Sequence, residues 1–342
     1  MRPEHHLAES EPYHDALYRC LNDWGLSEAK AELLRHGVNH VFATQSLRGE
    51  PVIVRVSDGA HRPRHELEAE LMWLNWLIEH ECVVTRPIPS QQGVWIETTA
   101  NGAGEFHVSC FERFPGHPPN PGNPAEWNGQ FFHDLGCSLG RIHRVTDQFS
   151  LPPDRQRQFW WETEMHNFPA DVSPYDPATV EAMRRFLADF KNRPQTPRCF
   201  GLIHHDIHGG NLLFDQGQVE IIDFDLACYG WRMTDFAVLL YSHYSFLSWK
   251  HAEATPTGIG RVVDALTAGY REEYTLDDAQ LAMLPDLMRL RETLCYIIMR
   301  PAMDYWQTAC GKPVVTIAES MAHIEARWRD GAPFEITGIP GR

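Results

Sequence analysis

Residues Gly201 to Asp225 read G-L-I-H-H-D-I-H-G-G-N-L-L-F-D-Q-G-Q-V-E-I-I-D-F-D, and the rest of the chain is best understood outward from them. Leu212-Leu213-Phe214 and Val219 to Ile222 are short apolar runs that predict two strands, and Asp215-Gln216-Gly217-Gln218 between them has turn chemistry. Closing that hairpin places Asn211 opposite Ile222, so Asn211 and Asp223 emerge together at its open end. Asp206 returns to the same end from the preceding loop. One carboxamide and two carboxylates converging in this way make an oxygen-ligand site for a hard divalent cation, with one carboxylate to spare.

N-terminal to this stretch the periodicity predicts a small α+β unit. Tyr13 to Trp24 carries Leu17, Cys20 and Leu21 on one helical face, with Gly25 as a stop. His40 to Leu47 and Pro51 to Val56 flank the turn Arg48-Gly49-Glu50 and predict a β-hairpin, with Val52, Val54 and Val56 alternating. Arg55 projects to the face opposite those valines, where solvent is the default surrounding for an arginine. From Arg64 to His80 the period changes to three or four, through Leu67, Leu71, Leu74 and Ile78. Of Glu66, Glu68 and Glu70 in that helix, two are expected to be merely solvated. Strands are predicted over Gly93 to Thr98 and Phe106 to Phe114. Pro115-Gly116-His117-Pro118-Pro119 then reads as a hinge, dividing the chain into residues 1–114 and 115–342.

Beyond the hinge the chain is mostly helical. Predicted helices span Phe131 to His143, Ala178 to Lys191, Thr234 to Leu247, Gly260 to Tyr274, Asp277 to Tyr305 and Thr316 to Arg329, with an irregular aromatic segment from Arg155 to Pro177.

The 342 residues suffice for two units with their own cores, and 43% hydrophobic with 22% charged residues is ordinary for a folded protein. A net charge of −16 argues against nucleic acid or an anionic membrane as the main partner. It is compatible with a cationic substrate, although acidity is commonly just a means of solubility. The eight cysteines are scattered without a C-x-x-C pair, which favours buried thiols over a disulfide framework or a zinc knuckle. The N-terminus has no apolar export core and no run approaches membrane-spanning length. A cytoplasmic protein is expected.

The order of parts resembles the aminoglycoside phosphotransferase and choline kinase superfamily, which shares its fold with the protein kinases. The resemblance rests first on His204-His205-Asp206-Ile207-His208-Gly209-Gly210-Asn211, close to the superfamily's H-G-D-x-H-x-x-N, and on Ile222-Asp223-Phe224-Asp225. Glu70-Leu71-Met72-Trp73-Leu74 resembles the E-L-x-W-L helix of the bacterial branch that includes homoserine kinase-like and stress-response kinases. Leu135-Gly136 to His143 resembles its L-G-x-x-L-G-x-x-H helix, and Ala268-Gly269-Tyr270 its later G-Y helix.

The resemblance implies a bilobal α+β fold of the protein-kinase type, with a small antiparallel-sheet lobe and a larger, mainly helical lobe. It implies Asp206 as catalytic base, Asn211 and Asp223 as Mg²⁺ ligands and ATP as co-substrate. Arg55 falls at the strand position of the phosphate-contacting lysine of protein kinases, Glu70 at that of its helical partner, and Phe111, Glu112, Arg113 and Phe114 at the adenine-binding hinge. No G-x-G-x-x-G covers residues 35 to 46, where Gly37-Val38-Asn39-His40 stands instead. Asp225 replaces the D-F-G glycine, and Asp235 is expected to support the catalytic loop by accepting backbone hydrogen bonds.

His204 and His208 at i, i+4 are a zinc pair only on a helix, which Gly209-Gly210 disfavours, so bracing of the loop is the better reading. The acceptor is expected to be a hydroxyl of a small amine, amino acid, sugar or aminoglycoside, met by residues in the ranges 155–170 and 290–306. Arg291, Tyr296, Arg300, Asp304 and Tyr305 are candidates there. The alternatives are a Ser/Thr protein kinase of the stress-response type and, less favoured, an inactive kinase-fold binding protein. A protein kinase would show an activation segment ending in A-P-E, whereas Leu226 to Asp235 passes almost directly into a helix and leaves little room for a peptide-binding platform, which favours a small acceptor.

Overall fold

The structure is a computed structural model and describes residues 3–27, 31–37, 39–242, 256–304, 306 and 317–339. The chain divides into two compact units, one of residues 1–117, 149–157 and 220–225, the other of residues 118–148, 158–219 and 226–342.

The first unit is built on an antiparallel sheet. Its strands are β1 (Glu32–Arg35), β2 (Asn39–Gln45), β3 (Pro51–Asp58), β4 (Pro87–Ile88), β5 (Glu97–Asn101) and β6 (Gly104–Glu112), in the order β1-β2-β3-β6-β4 with β5 also on β6. In β3 the alternation is obeyed: Val52, Val54 and Val56 are buried with Phe106, Val108 and Cys110 of β6 under helix α1 (Pro3–Cys20). Leu17, Cys20 and Leu21 supply the helical side of that core. A short 3-10 turn, Leu21–Trp24, follows α1, and Gly25 ends it in the left-handed region at φ 64°. Such a φ favours glycine because there is no Cβ to clash. The opposite face of β3 is not solvated as expected. Arg55 is only 5% exposed, because Glu70 of helix α2 (Arg64–Glu79) accepts its guanidinium there. Of the three α2 glutamates, Glu70 is buried while Glu66 and Glu68 are half-buried.

Other expectations shift in detail. The predicted strand at Gly93 begins only at Glu97, and β1 and β4 lacked a readable alternation.

The second unit is mainly helical. It contains α3 (Gly129–Thr146), α4 (Pro177–Lys191), β7 (Phe200–Ile203), β8 (Leu212–Asp215), and the start of β9 (Gln218–Ile221). After β10 (Cys228–Trp231) come α5 (Thr234–Leu240), α6 (Pro256–Glu273), α7 (Asp278–Leu281), α8 (Leu284–Met299) and α9 (Ile317–Asp330). Asn128 and Asp176 cap α3 and α4 by accepting the N–H of Phe131 and Thr179. The helix expected from Asp277 to Tyr305 is divided. Pro285 opens α8, where its missing N–H costs nothing, so α7 ends before it. Residues 243–247 of the predicted helix from Thr234, and Tyr305, lie outside the described residues. The turn between β8 and β9 is tighter than the four residues expected: Gln216 and Gly217 both have positive φ, 47° and 89°, the pattern of a two-residue I′ hairpin turn.

Helices α3 and α6 meet at glycines. A Cβ at Gly136 would lie 2.2 Å from Leu266 O, and one at Gly269 would lie 1.9 Å from His133 O. The L-G-x-x-L-G-x-x-H and G-Y segments are thus the two halves of one backbone-to-backbone contact.

Candidate active site

In the second unit, β7 runs into the loop His204–His208, and His205 adopts φ 70°, a strained left-handed conformation for a non-glycine residue. Asp235, fully buried at the start of α5, holds that backbone in place. Its Oδ2 accepts the His204 N–H at 3.2 Å and its Oδ1 the His205 N–H at 2.7 Å. His143 of α3 donates from Nε2 to Asp235 at 3.1 Å while Nδ1 accepts the Tyr270 hydroxyl at 2.8 Å. Burial lowers the His143 pKa, against the pull of Asp235, so the neutral ring with this tautomer fits the network. The glycine contact between α3 and α6 is therefore linked to the His204–His208 loop through Tyr270, His143 and Asp235. His204 Nδ1 accepts the N–H of Asp206 and His208 Nδ1 that of Gly210, so both histidines brace the loop.

Asp206 follows. Its Oδ1 accepts from Arg291 NH2 of α8 at 2.7 Å, its Oδ2 accepts from Asn211 Nδ2 at 3.1 Å, and His208 Nε2 stands 3.5 Å from Oδ2. Burial alone would raise this carboxyl, but Arg291, then His208 and His204, together outweigh it, and the group is held well below the usual carboxylate range. Asp206 is therefore ionised and fixed in orientation. Asn211 is itself fully buried: Nδ2 also donates to Asp206 O at 3.0 Å, whereas Oδ1 has no partner. A buried carbonyl oxygen without a donor costs about 1–3 kcal/mol unless something positive meets it.

The first unit carries the remaining candidates. Arg55 forms a bidentate pair with Glu70 at 2.8 and 2.9 Å, and its guanidinium lies 5.2 Å from the Phe111 ring centre. Burial opposes the Arg55 charge, but Glu70, Asp225 and Asp223 outweigh it and raise its pKa. Asp223 has φ 65°, like His205 a non-glycine residue in the left-handed region, and its Oδ2 accepts from the half-exposed Arg35 at 2.8 Å. Asp225 is engaged elsewhere: both its oxygens accept from Arg62 Nε at 2.9 Å, and Arg157 takes its main-chain carbonyl. Between the two aspartates, Phe224 is fully buried against Trp73. At the hinge, the Glu112 N–H donates to Arg86 O and the Arg113 N–H to Pro51 O, with the Glu112 side chain exposed near Arg86. Phe114 is half-buried.

Asp206 and Asn211 are thus joined by a hydrogen bond in one unit. Arg55, Glu70, Phe111 and Asp223 belong to the other. Arg35 and Arg62, which hold Asp223 and Asp225, carried no sequence signal, being 188 and 163 residues from their partners. Arg291 was one candidate among several, and only its contact with Asp206 sets it apart. Tyr296 and Arg300 instead pair with Glu325 of α9.

An antiparallel-sheet unit, a mainly helical unit and a braced H-x-D-x-x-x-x-N loop define the protein-kinase-like phosphotransferase fold. The profile of the phosphotransferase enzyme family matches residues 30–281, and the chain belongs to that family and is a kinase. It is 27% identical over 285 residues to an amicoumacin kinase of Bacillus subtilis, covering 82% of this chain and 83% of that protein. A homoserine kinase of Phenylobacterium zucineum is 26% identical over 216 residues, 63% of this chain and 62% of the relative. The solved structure of the amicoumacin kinase hAmiN in complex with AMP-PNP, Ca²⁺ and Ami superimposes with a TM-score of 0.82, at 25% identity and covering 98% of both chains.

Proposed function

We propose that this kinase transfers the γ-phosphoryl group of ATP, with Mg²⁺, to a hydroxyl of a small molecule: an amine, amino acid, sugar or aminoglycoside. The observation that carries the reading is the state of the catalytic loop, in which Asp206 is fixed from two sides and Asn211 Oδ1 is buried without a partner. That orphaned oxygen suits a hard cation, as does the half-buried carboxylate of Asp223. Bound there, Mg²⁺ would neutralise and orient phosphate oxygens, which is most of what phosphoryl transfer asks of a protein.

In this scheme Asn211 and Asp223 hold the metal. Asp206 Oδ accepts the acceptor's hydroxyl proton as its oxygen attacks, so its ionised, oriented state is what the step requires. Arg55, aligned by Glu70, meets the α- and β-phosphate oxygens. Main-chain groups in the segment Phe111, Glu112, Arg113 and Phe114 meet the adenine.

A protein substrate is disfavoured by the short path after Asp225. A 3-10 turn ends at Leu226, β10 follows, and α5 begins at Thr234. The names of the relatives, amicoumacin kinase and homoserine kinase, support a small acceptor. A location in the cytoplasm is consistent with the absence of any membrane-crossing helix among the described residues.

Purified protein with Mg-ATP and a panel of such acceptors should release ADP with at least one of them. Asp206→Ala should lower that turnover by about 10²–10⁴-fold with nucleotide binding retained. Full turnover in the variant would remove Asp206 from the mechanism. If Asp223→Ala and Asn211→Ala both leave metal-dependent ATP binding intact, the metal assignment fails.

A further inference from the structure

One cluster in the second unit plays no part in this chemistry. His133 and Cys137 sit one turn apart on α3, and Glu272 faces them from α6. One ligand atom from each lies within 4.8 Å of the others. His133 Nε2 is 3.0 Å from Glu272 Oε1, and Cys137 Sγ is 3.8 Å from both Glu272 Oε2 and His133 Nδ1. Bond lengths of about 2.3 Å for Zn–S and about 2.0 Å for Zn–N or Zn–O imply ligand-to-ligand edges of about 3.3–3.6 Å in a tetrahedron. With one ligand atom from each residue already within 4.8 Å of the others, small side-chain rotations bring the three to those edges.

We propose that His133, Cys137 and Glu272 form a binding site for a zinc-class divalent transition metal that ties α3 to α6. A thiolate, an imidazole and a carboxylate are the ligands such an ion selects over Mg²⁺, which prefers oxygen alone. The fourth position is left for water.

Two features beyond the ligands support the site. The first is an outer partner: Asp134 Oδ1 lies 3.4 Å from His133 Nδ1 and accepts from Gln130 Nε2 at 2.8 Å. This is the carboxylate–histidine arrangement that fixes ring orientation when Nε2 binds a metal. The second is rigidity. The hypothetical Cβ of Gly269, one turn before Glu272, would touch His133 O at 1.9 Å and Cys137 N at 3.0 Å. The turns that bear the ligands are therefore those where the two backbones are pressed together, which fixes the separation of the backbone positions that carry them.

Chelator-treated full-length protein should be titrated with Co²⁺ in excess Mg²⁺, which fills oxygen-only sites. One equivalent should produce a thiolate-to-cobalt charge-transfer band, Zn²⁺ should displace it, and Zn²⁺ should raise the melting temperature. Cys137→Ser should abolish the band and the thermal shift while leaving Mg-dependent turnover unchanged. Asp134→Asn should weaken Zn²⁺ binding about 10–100-fold. His133→Ala and Glu272→Gln give the same reading should the cysteine variant fold poorly. No band at stoichiometric metal, or a band that persists in folded Cys137→Ser, overturns the site.

Discussion

Asp206 and Asp223 are both carboxylates paired with an arginine, and the two pairs are built in opposite ways. Arg291 and Asp206 have side chains 11% and 12% exposed, and the aspartate is further held by Asn211. Arg35 and Asp223 are 55% and 28% exposed, and Arg35 reaches from β1, an edge strand. A buried pair is costly to break and keeps its geometry, whereas an exposed pair is worth about 0–1 kcal/mol and exchanges readily. The residue assigned to accept a proton is thus locked. The residue assigned to hold a metal is guarded by a partner it can give up.

The largest expected effect tests the locked side. Arg291→Met leaves Asp206 without its cation and should cost about 3–5 kcal/mol in urea unfolding, with a fall in kcat. A loss below about 1 kcal/mol would show the two pairs to be equivalent. Asp235→Ala removes the acceptor for two loop N–H groups and His143, and should cost about 2–4 kcal/mol with a parallel loss of turnover. A smaller effect probes the first unit away from Arg35 and Asp223. Glu220, buried near Glu112, has its carboxyl pushed up to about 7, burial being the main cause and Glu112 the next. A raised carboxyl pKa contributes stability below its unfolded value that is lost as pH rises through the folded one. Glu220→Gln should therefore flatten the decline between about pH 4.5 and 7, and be more stable than the parent at pH 8 by about 1–2 kcal/mol. Thermal melts across that range check it. Smallest of all, Arg35→Met should change stability by less than about 1 kcal/mol and should not weaken metal-dependent nucleotide binding.

Much of this was legible in the chain itself, and what was missed shares a cause. The hairpin of β2 and β3, helix α2 and the loop around Asp206 follow from local periodicity and spacing, which one sequence displays in full. Arg55 shows the limit. Alternation places it correctly on the face opposite the valines but leaves that face to solvent; Glu70 was implied as its partner only by the resemblance, and packing shows α2 covering the face. The pairs Arg291 with Asp206 and Arg35 with Asp223 join residues 85 and 188 positions apart, and no local pattern reports such distances. The division of the helix after Asp277 is different, since Pro285 was in plain view and apolar periodicity across it obscured a helix start.

The replacement of glycine by Asp225 has a pharmacological consequence. With Phe224 buried on Trp73, Asp223 held at φ 65° and Asp225 pinned by Arg62, the D-F-D segment is a fixed rivet and not a toggle. Compounds that depend on expelling the phenylalanine would first have to break these holds. Inhibitors of this kinase should instead associate in a single kinetic phase and compete directly with nucleotide.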